Sequence, residues 1–71
     1  MPIVRIDLLI GRSPEQKAEL IRRVTAAVAE SIEVRPEQIR ILLNELPPEH
    51  WAVGGQSMAE RAQVAAKEPS A

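Results

Sequence analysis

The sequence predicts an α+β fold: a small βαβ unit of two parallel strands and one long helix, a short C-terminal hairpin or helix after it, and assembly into an oligomer. Two stretches of alternating apolar residues, Ile3 to Ile10 and Ile39 to Leu46, flank one apolar stripe at helical spacing, and the links between them are short. The oligomer follows from size. A chain of 71 residues buries only about 60% of the surface its unfolded form exposes. With no cysteine and one histidine, disulfides are excluded and a structural metal is disfavoured, which leaves association as the support for a marginal core.

Taken in order, the first strand runs from Ile3 to Ile10, with Val4, Ile6, Leu8 and Ile10 on an apolar face and Ile3, Arg5, Asp7 and Leu9 on a mixed one. Gly11-Arg12 ends it. Ser13 is suited to a helix N-cap, Pro14 to the first helical position and Gln16 to the closing place of a capping box, so a helix is predicted from Pro14 to Glu33. Leu20, Ile21, Val24, Ala27, Val28 and Ile32 form its apolar stripe. Pro36 in "EVRPEQ" stops it, because the residue before a proline is driven out of the α region. The second strand, Ile39 to Leu46, adds Ile39, Ile41 and Leu43 to the apolar face and puts Arg40, Leu42, Asn44 and Leu46 on the other.

Pro47-Pro48 stops that strand, "WAVGG" reads as an extended or hairpin segment, and Ser57 with Glu60 resembles a capping box for a short helix to about Ala66. The last few residues are expected to fray. The whole reads as one domain, 1–71, with a core over 2–55 and a tail over 56–71.

The formal net charge is −1, from nine Lys plus Arg against ten Asp plus Glu. No basic field points to nucleic acid or an anionic membrane surface. No apolar run reaches the ~18 residues of a membrane span and no signal-peptide layout opens the chain, so a cytoplasmic protein is expected. His50 lacks a second ligand or a triad partner and is assigned no role. No phosphate loop, metal-ligand spacing or Ser/His/Asp arrangement occurs.

Chemistry concentrates at the strand ends. Parallel pairing sets Pro2 and Arg40 near each other at one edge, whereas Arg12 follows the far end of the first strand, about 25 Å away at 3.3 Å per residue. An arginine side chain cannot span that distance. A two-fold partner with an antiparallel strand would bring its own Arg12 beside Pro2, packing on the sheet face that carries Ile3, Leu9, Leu42 and Leu46. Each residue also has an ordinary reading. Pro2 is a tolerated strand-start proline, Arg12 a solvated loop residue, Arg40 an edge charge that discourages aggregation, and Trp51 a core or interface anchor. Pro2 has one further reading: removal of Met1 would leave a free secondary amine, a base that no side chain supplies.

A proline directly after the initiator Met, "LLIGRSPEQKAELI" after the first strand, "IRIL" opening the second and "PPEHWAVGG" after it together resemble the 4-oxalocrotonate tautomerase family of the tautomerase superfamily. The resemblance runs from Pro2 to about Gly55. It implies a βαβ subunit in a hexamer, or trimer of dimers, whose neighbouring subunits complete each site. It implies that Pro2 is the catalytic amino-terminal base, that Arg12 and Arg40 are catalytic and substrate-binding arginines, and that Trp51 stands at a substrate-binding position usually held by Phe. It implies no metal and no organic cofactor. The partner it implies is a small dicarboxylate or 2-oxo acid such as 2-hydroxymuconate, with neither nucleic acid nor membrane involved.

These residue types suit that chemistry. A 1,3-keto–enol or dienol shift needs one base that removes a proton and returns it at another carbon, and a cation for the charge on the intermediate's oxygen. A free α-amine titrates at about 7.7–8.0, and neighbouring guanidinium charges with partial desolvation disfavour its ammonium form. Arginine also grips carboxylates bidentately. Other readings of the same residues stay open: a non-catalytic oligomeric scaffold, a small-carboxylate binder, or a related hydratase or dehalogenase. Relatives of the last kind use a water-activating Glu in the final loop, where this chain has Val53, with Glu49 nearby.

Overall fold

Strand β1 (Ile3–Leu9), helix α1 (Pro14–Ile32) and strand β2 (Arg40–Leu46) follow one another, and the two strands pair in parallel. Residues 1–67 are described by this computed structural model. The register sets Ile3 opposite Arg40 and Leu9 opposite Leu46. The ladder runs one step beyond each end, where the Arg40 N–H donates to the Pro2 carbonyl at 3.0 Å and the Ile10 N–H to the Leu46 carbonyl at 3.0 Å. Each strand is one residue shorter than the alternation predicts, losing Ile10 and Ile39.

Helix α1 starts as its capping chemistry dictates. Ser13 Oγ accepts from the Gln16 N–H at 3.1 Å and Gln16 Oε1 accepts from the Ser13 N–H at 2.9 Å, with Pro14 at the first helical position. It ends at Ile32 because Glu33 turns into the left-handed region, φ 54°, and caps the helix with its N–H on the Ala29 carbonyl. A 3₁₀ turn over Pro36–Gln38 leads into β2. On the outer face of α1, Glu19 bonds Arg22, and Arg23 Nε at 2.7 Å; the hydrogen bonds from Arg22 and then Arg23 hold the Glu19 carboxyl below the usual glutamate range.

The helix covers one face of the sheet. Val4, Ile6 and Leu8 of β1, Ile41 and Leu43 of β2, and Leu20, Val24 and Val28 of α1 are half-buried, and Ile39 alone is buried among the described residues. Lys17 Nζ reaches Glu45 Oε1 at 2.9 Å and ties the first turn of α1 to the far end of β2. The predicted stripe is therefore only partly covered: Ile21 and Ile32 are 39% and 56% exposed. The opposite sheet face has no layer over it among the described residues, so Ile3 and Leu42 are 62% and 46% exposed. There the register pair Asp7 and Asn44 is joined by an Asn44 Nδ2 to Asp7 Oδ1 hydrogen bond of 2.9 Å.

After a 3₁₀ turn at Pro48–His50, strands β3 (Ala52–Val53) and β4 (Gln56–Ser57) form a hairpin. Gly54 and Gly55 make its two-residue turn with φ of 60° and 87°, a pair of positive values that favours glycine at both places. Helix α2 (Met58–Lys67) follows, with Ser57 Oγ accepting from the Glu60 N–H at 3.1 Å. Its start is bound to the turn before β3 by the Met58 N–H on the Trp51 carbonyl at 2.6 Å. The fraying expected at the last few residues lies outside the described residues.

Candidate active site

Pro2 precedes β1 and is half-buried, while Met1 before it is 78% exposed. Its carbonyl closes the first rung of the ladder with the Arg40 N–H, so the backbones of Pro2 and Arg40 meet at one end of the sheet. Their side chains diverge. Strand alternation gives Arg40 the uncovered face that it shares with its register partner Ile3. Arg40 is exposed, and its Nη1 donates to the Glu37 carbonyl at 3.0 Å. That bond steers the guanidinium back over the 3₁₀ turn at the entrance of β2.

Arg12 and Trp51 belong to the other end. Arg12 is exposed in the loop between β1 and α1, and with Leu8, Gln16, Lys17 and Leu20 it lines a cavity of about 260 Å³. No ion pair engages its guanidinium among the described residues. Trp51 is half-buried just after β2; with Asp7, Leu46, His50 and Ala52 it lines a depression of about 350 Å³ on the uncovered sheet face. The four residues thus lie at the two ends of the strand pair, Pro2 and Arg40 at one, and at the other Arg12 on the helix-covered side and Trp51 on the uncovered face, with the seven residues of β1 between the ends. At 3.3 Å per residue that is about 23 Å. Val53 lies in β3 and is 51% exposed, and Glu49 is exposed in the 3₁₀ turn before Trp51.

Two polar pairs beside these residues are not apparent from the sequence. The Asp7–Asn44 bond borders the Trp51 depression, and the Lys17–Glu45 ion pair borders the Arg12 cavity. Alternation puts Asp7 and Asn44 on the same mixed face, and the strand register is the further signal that would have paired them. Lys17 and Glu45 are 28 residues apart, and only the seating of α1 on β2 makes them neighbours.

Comparison with known proteins agrees with this architecture. The family model for the tautomerase enzymes matches residues 2–61. A 2-hydroxymuconate tautomerase of a Pseudomonas species is 41% identical over 56 residues, 79% of this chain and 89% of the relative. Among solved structures, a 4-oxalocrotonate tautomerase isozyme from Methylibium petroleiphilum superposes with a TM-score of 0.86 at 46% identity, covering 89% of this chain and 98% of that one. The heterohexamer 4-oxalocrotonate tautomerase from Chloroflexus aurantiacus gives 0.80 at 52% identity, covering 84% and 97%. A parallel βαβ unit with a terminal hairpin, the ordered residues Pro2, Arg12, Arg40 and Trp51, and a match over most of the chain to tautomerases of this size converge on one assignment: the chain belongs to the 4-oxalocrotonate tautomerase family of tautomerase enzymes.

Proposed function

We propose that this tautomerase ketonises a small 2-hydroxy-dienoate or related 2-oxo acid, such as 2-hydroxymuconate, with the amine of Pro2 as general base. The observation that carries the reading is the split of the four site residues between the two ends of one strand pair. Pro2 then meets an Arg12 only where a second chain supplies it, which matches a site built between subunits of a homo-oligomer, a hexamer or trimer of dimers. Arg12 and Arg40 hold the substrate's carboxylate and keto oxygen. Trp51 forms the apolar wall.

The proton transfer needs no further participant. Once Met1 is removed, the Pro2 nitrogen takes the proton from the dienol hydroxyl and returns it at a carbon of the conjugated chain, leaving the 2-oxo product. A guanidinium balances the charge that gathers on oxygen meanwhile. Met1 is exposed, and the small residue after it suits removal by methionine aminopeptidase. A cytoplasmic location, where that processing takes place, is part of the same proposal.

Spectrophotometric assay of 2-hydroxymuconate and of phenylenolpyruvate ketonisation tests the reading. Expected is turnover by chains shown by intact mass to lack Met1, falling by orders of magnitude in Arg12→Ala and in Arg40→Ala. Binding of substrate without turnover would leave a carboxylate-binding module, and unchanged rates in both variants would end the assignment.

A further inference from the structure

The Arg12 cavity holds more charge than the substrate reading uses. Two cations line it, Arg12 on the loop and Lys17 in the first turn of α1, and Glu45 near the end of β2 adjoins it through its 2.9 Å ion pair with Lys17. The paired side chains are 28% and 32% exposed, half withdrawn from water yet open to an exchange of partners. Leu8 and Leu20 supply the apolar floor. Gln16 contributes no charge, and its Oε1 accepts from the Ser13 N–H at 2.9 Å, which fixes the side chain at the cavity wall.

We infer that Glu45 sets the substrate-charge preference of the Arg12 cavity by holding Lys17 in an ion pair, so that the cavity offers one net positive charge instead of two. Arg12 and Lys17 contribute two cations and Glu45 one anion, a sum of +1. Without the carboxylate the sum is +2, without the ammonium it is zero, and without both it returns to +1. A dianionic carboxylate ligand feels each step more than a monoanion does, because Coulomb energy scales with the product of the charges. The inference rests on the tautomerase reading only in placing a ligand carboxylate at Arg12.

The test is a double-mutant cycle of ligand binding on the assembled, Met1-processed protein. Calorimetry with cis,cis-muconate as the dicarboxylate probe and sorbate as the monocarboxylate would compare the unchanged chain, Glu45→Gln, Lys17→Met and the double variant. Expected is muconate binding roughly fivefold tighter in Glu45→Gln and roughly fivefold weaker in Lys17→Met, as one charge at several ångströms in a half-wet site gives. The double variant should return to within about twofold of the unchanged chain, sorbate should shift less, and the differences should shrink at high salt.

Loss of packing cannot tighten binding, so the Glu45→Gln arm alone separates charge control from a structural role. Weaker binding in both single variants with no recovery in the double would assign the pair to seating α1 and overturn the inference. Four equal affinities, or no muconate binding by the unchanged chain, would overturn it as well. Ketonisation of 2-hydroxymuconate measured on the same samples keeps the two ideas apart. Turnover beside a flat cycle leaves the tautomerase reading standing, and an intact cycle without turnover leaves this one.

Discussion

Pro2 occupies a position where its carbonyl and its nitrogen answer to different demands. The carbonyl accepts the Arg40 N–H and closes the β1–β2 ladder, and this bond is indifferent to what is attached to the nitrogen. With Met1 in place the nitrogen is a tertiary amide with no basicity; with Met1 gone it is a secondary amine. Structure and chemistry can therefore be separated at one residue. Pro2→Ala, with Met1 removed as in the parent, keeps the carbonyl and loses only the pyrrolidine. It is expected to fold and assemble as the parent does, with kcat/KM for 2-hydroxymuconate lower by about 10²- to 10⁴-fold, the range in which a positioned base contributes. Undiminished turnover in that variant, whose amino terminus is a primary amine, would show that the pyrrolidine is not needed, and full turnover by a chain that keeps Met1 would exclude the amine as the base. The approach of Pro2 to Arg40 was legible because two alternating runs of similar length, joined by one helix, allow little freedom of register. The bond from Arg40 to the Glu37 carbonyl was not, since it depends on a 3₁₀ turn that a proline permits without dictating.

At the scale of elements, what the sequence disclosed was local chemistry, and what it concealed was coverage. The start of α1 could be read from Ser13, Pro14 and Gln16 because a cap is made among residues four apart or fewer. Its end could be read only to within a residue, because Glu33 adopts a left-handed conformation that usually selects glycine or asparagine. The apolar stripe is covered only at Leu20, Val24 and Val28, because a sheet of two strands is too narrow to reach Ile21, Ala27 and Ile32 as well. The Gly54-Gly55 hairpin was one of two forms allowed for "WAVGG", and paired positive φ values select it. The reciprocal Ser13–Gln16 cap also positions Arg12, which immediately precedes it. Ser13→Ala is thus expected to lower stability by about 1 kcal/mol, read as a lower urea midpoint at fixed chain concentration. A larger KM for the dicarboxylate with little change in kcat should accompany it, because the loop carrying Arg12 loses its anchor. An unchanged midpoint would show that the cap is redundant with the Lys17–Glu45 pair.

The whole chain is shaped as a component. Its radius of gyration is 16.7 Å, against about 11 Å for a compact chain of this length. Its accessible surface of 5638 Å² exceeds the roughly 4,400 Å² of a folded monomer of its mass by more than the ~800 Å² that one partner commits to a standard interface. Ile3, Ile21, Ile32, Leu42 and Val53 are all exposed on it. Sedimentation is accordingly expected to find an oligomer, and a stable folded monomer would contradict the proposed assembly. The sharing of sites is open to a stricter test. If Pro2 and Arg12 of one site come from different chains, a site in a mixed oligomer can draw its Pro2 from an Arg12→Ala chain and its Arg12 from a Pro2→Ala chain. Random mixing then rebuilds roughly a quarter of the sites. If both residues came from one chain, no mixed site could hold the pair. Co-refolding equal amounts of the two inactive variants should thus restore activity towards a quarter of that of the unmutated protein, with recovery absent when the two are mixed already assembled and do not exchange subunits. Co-refolded oligomers proven mixed by mass spectrometry, yet no more active than their parents, would show that the β1-length gap between Pro2 and Arg12 is not bridged by a neighbouring chain.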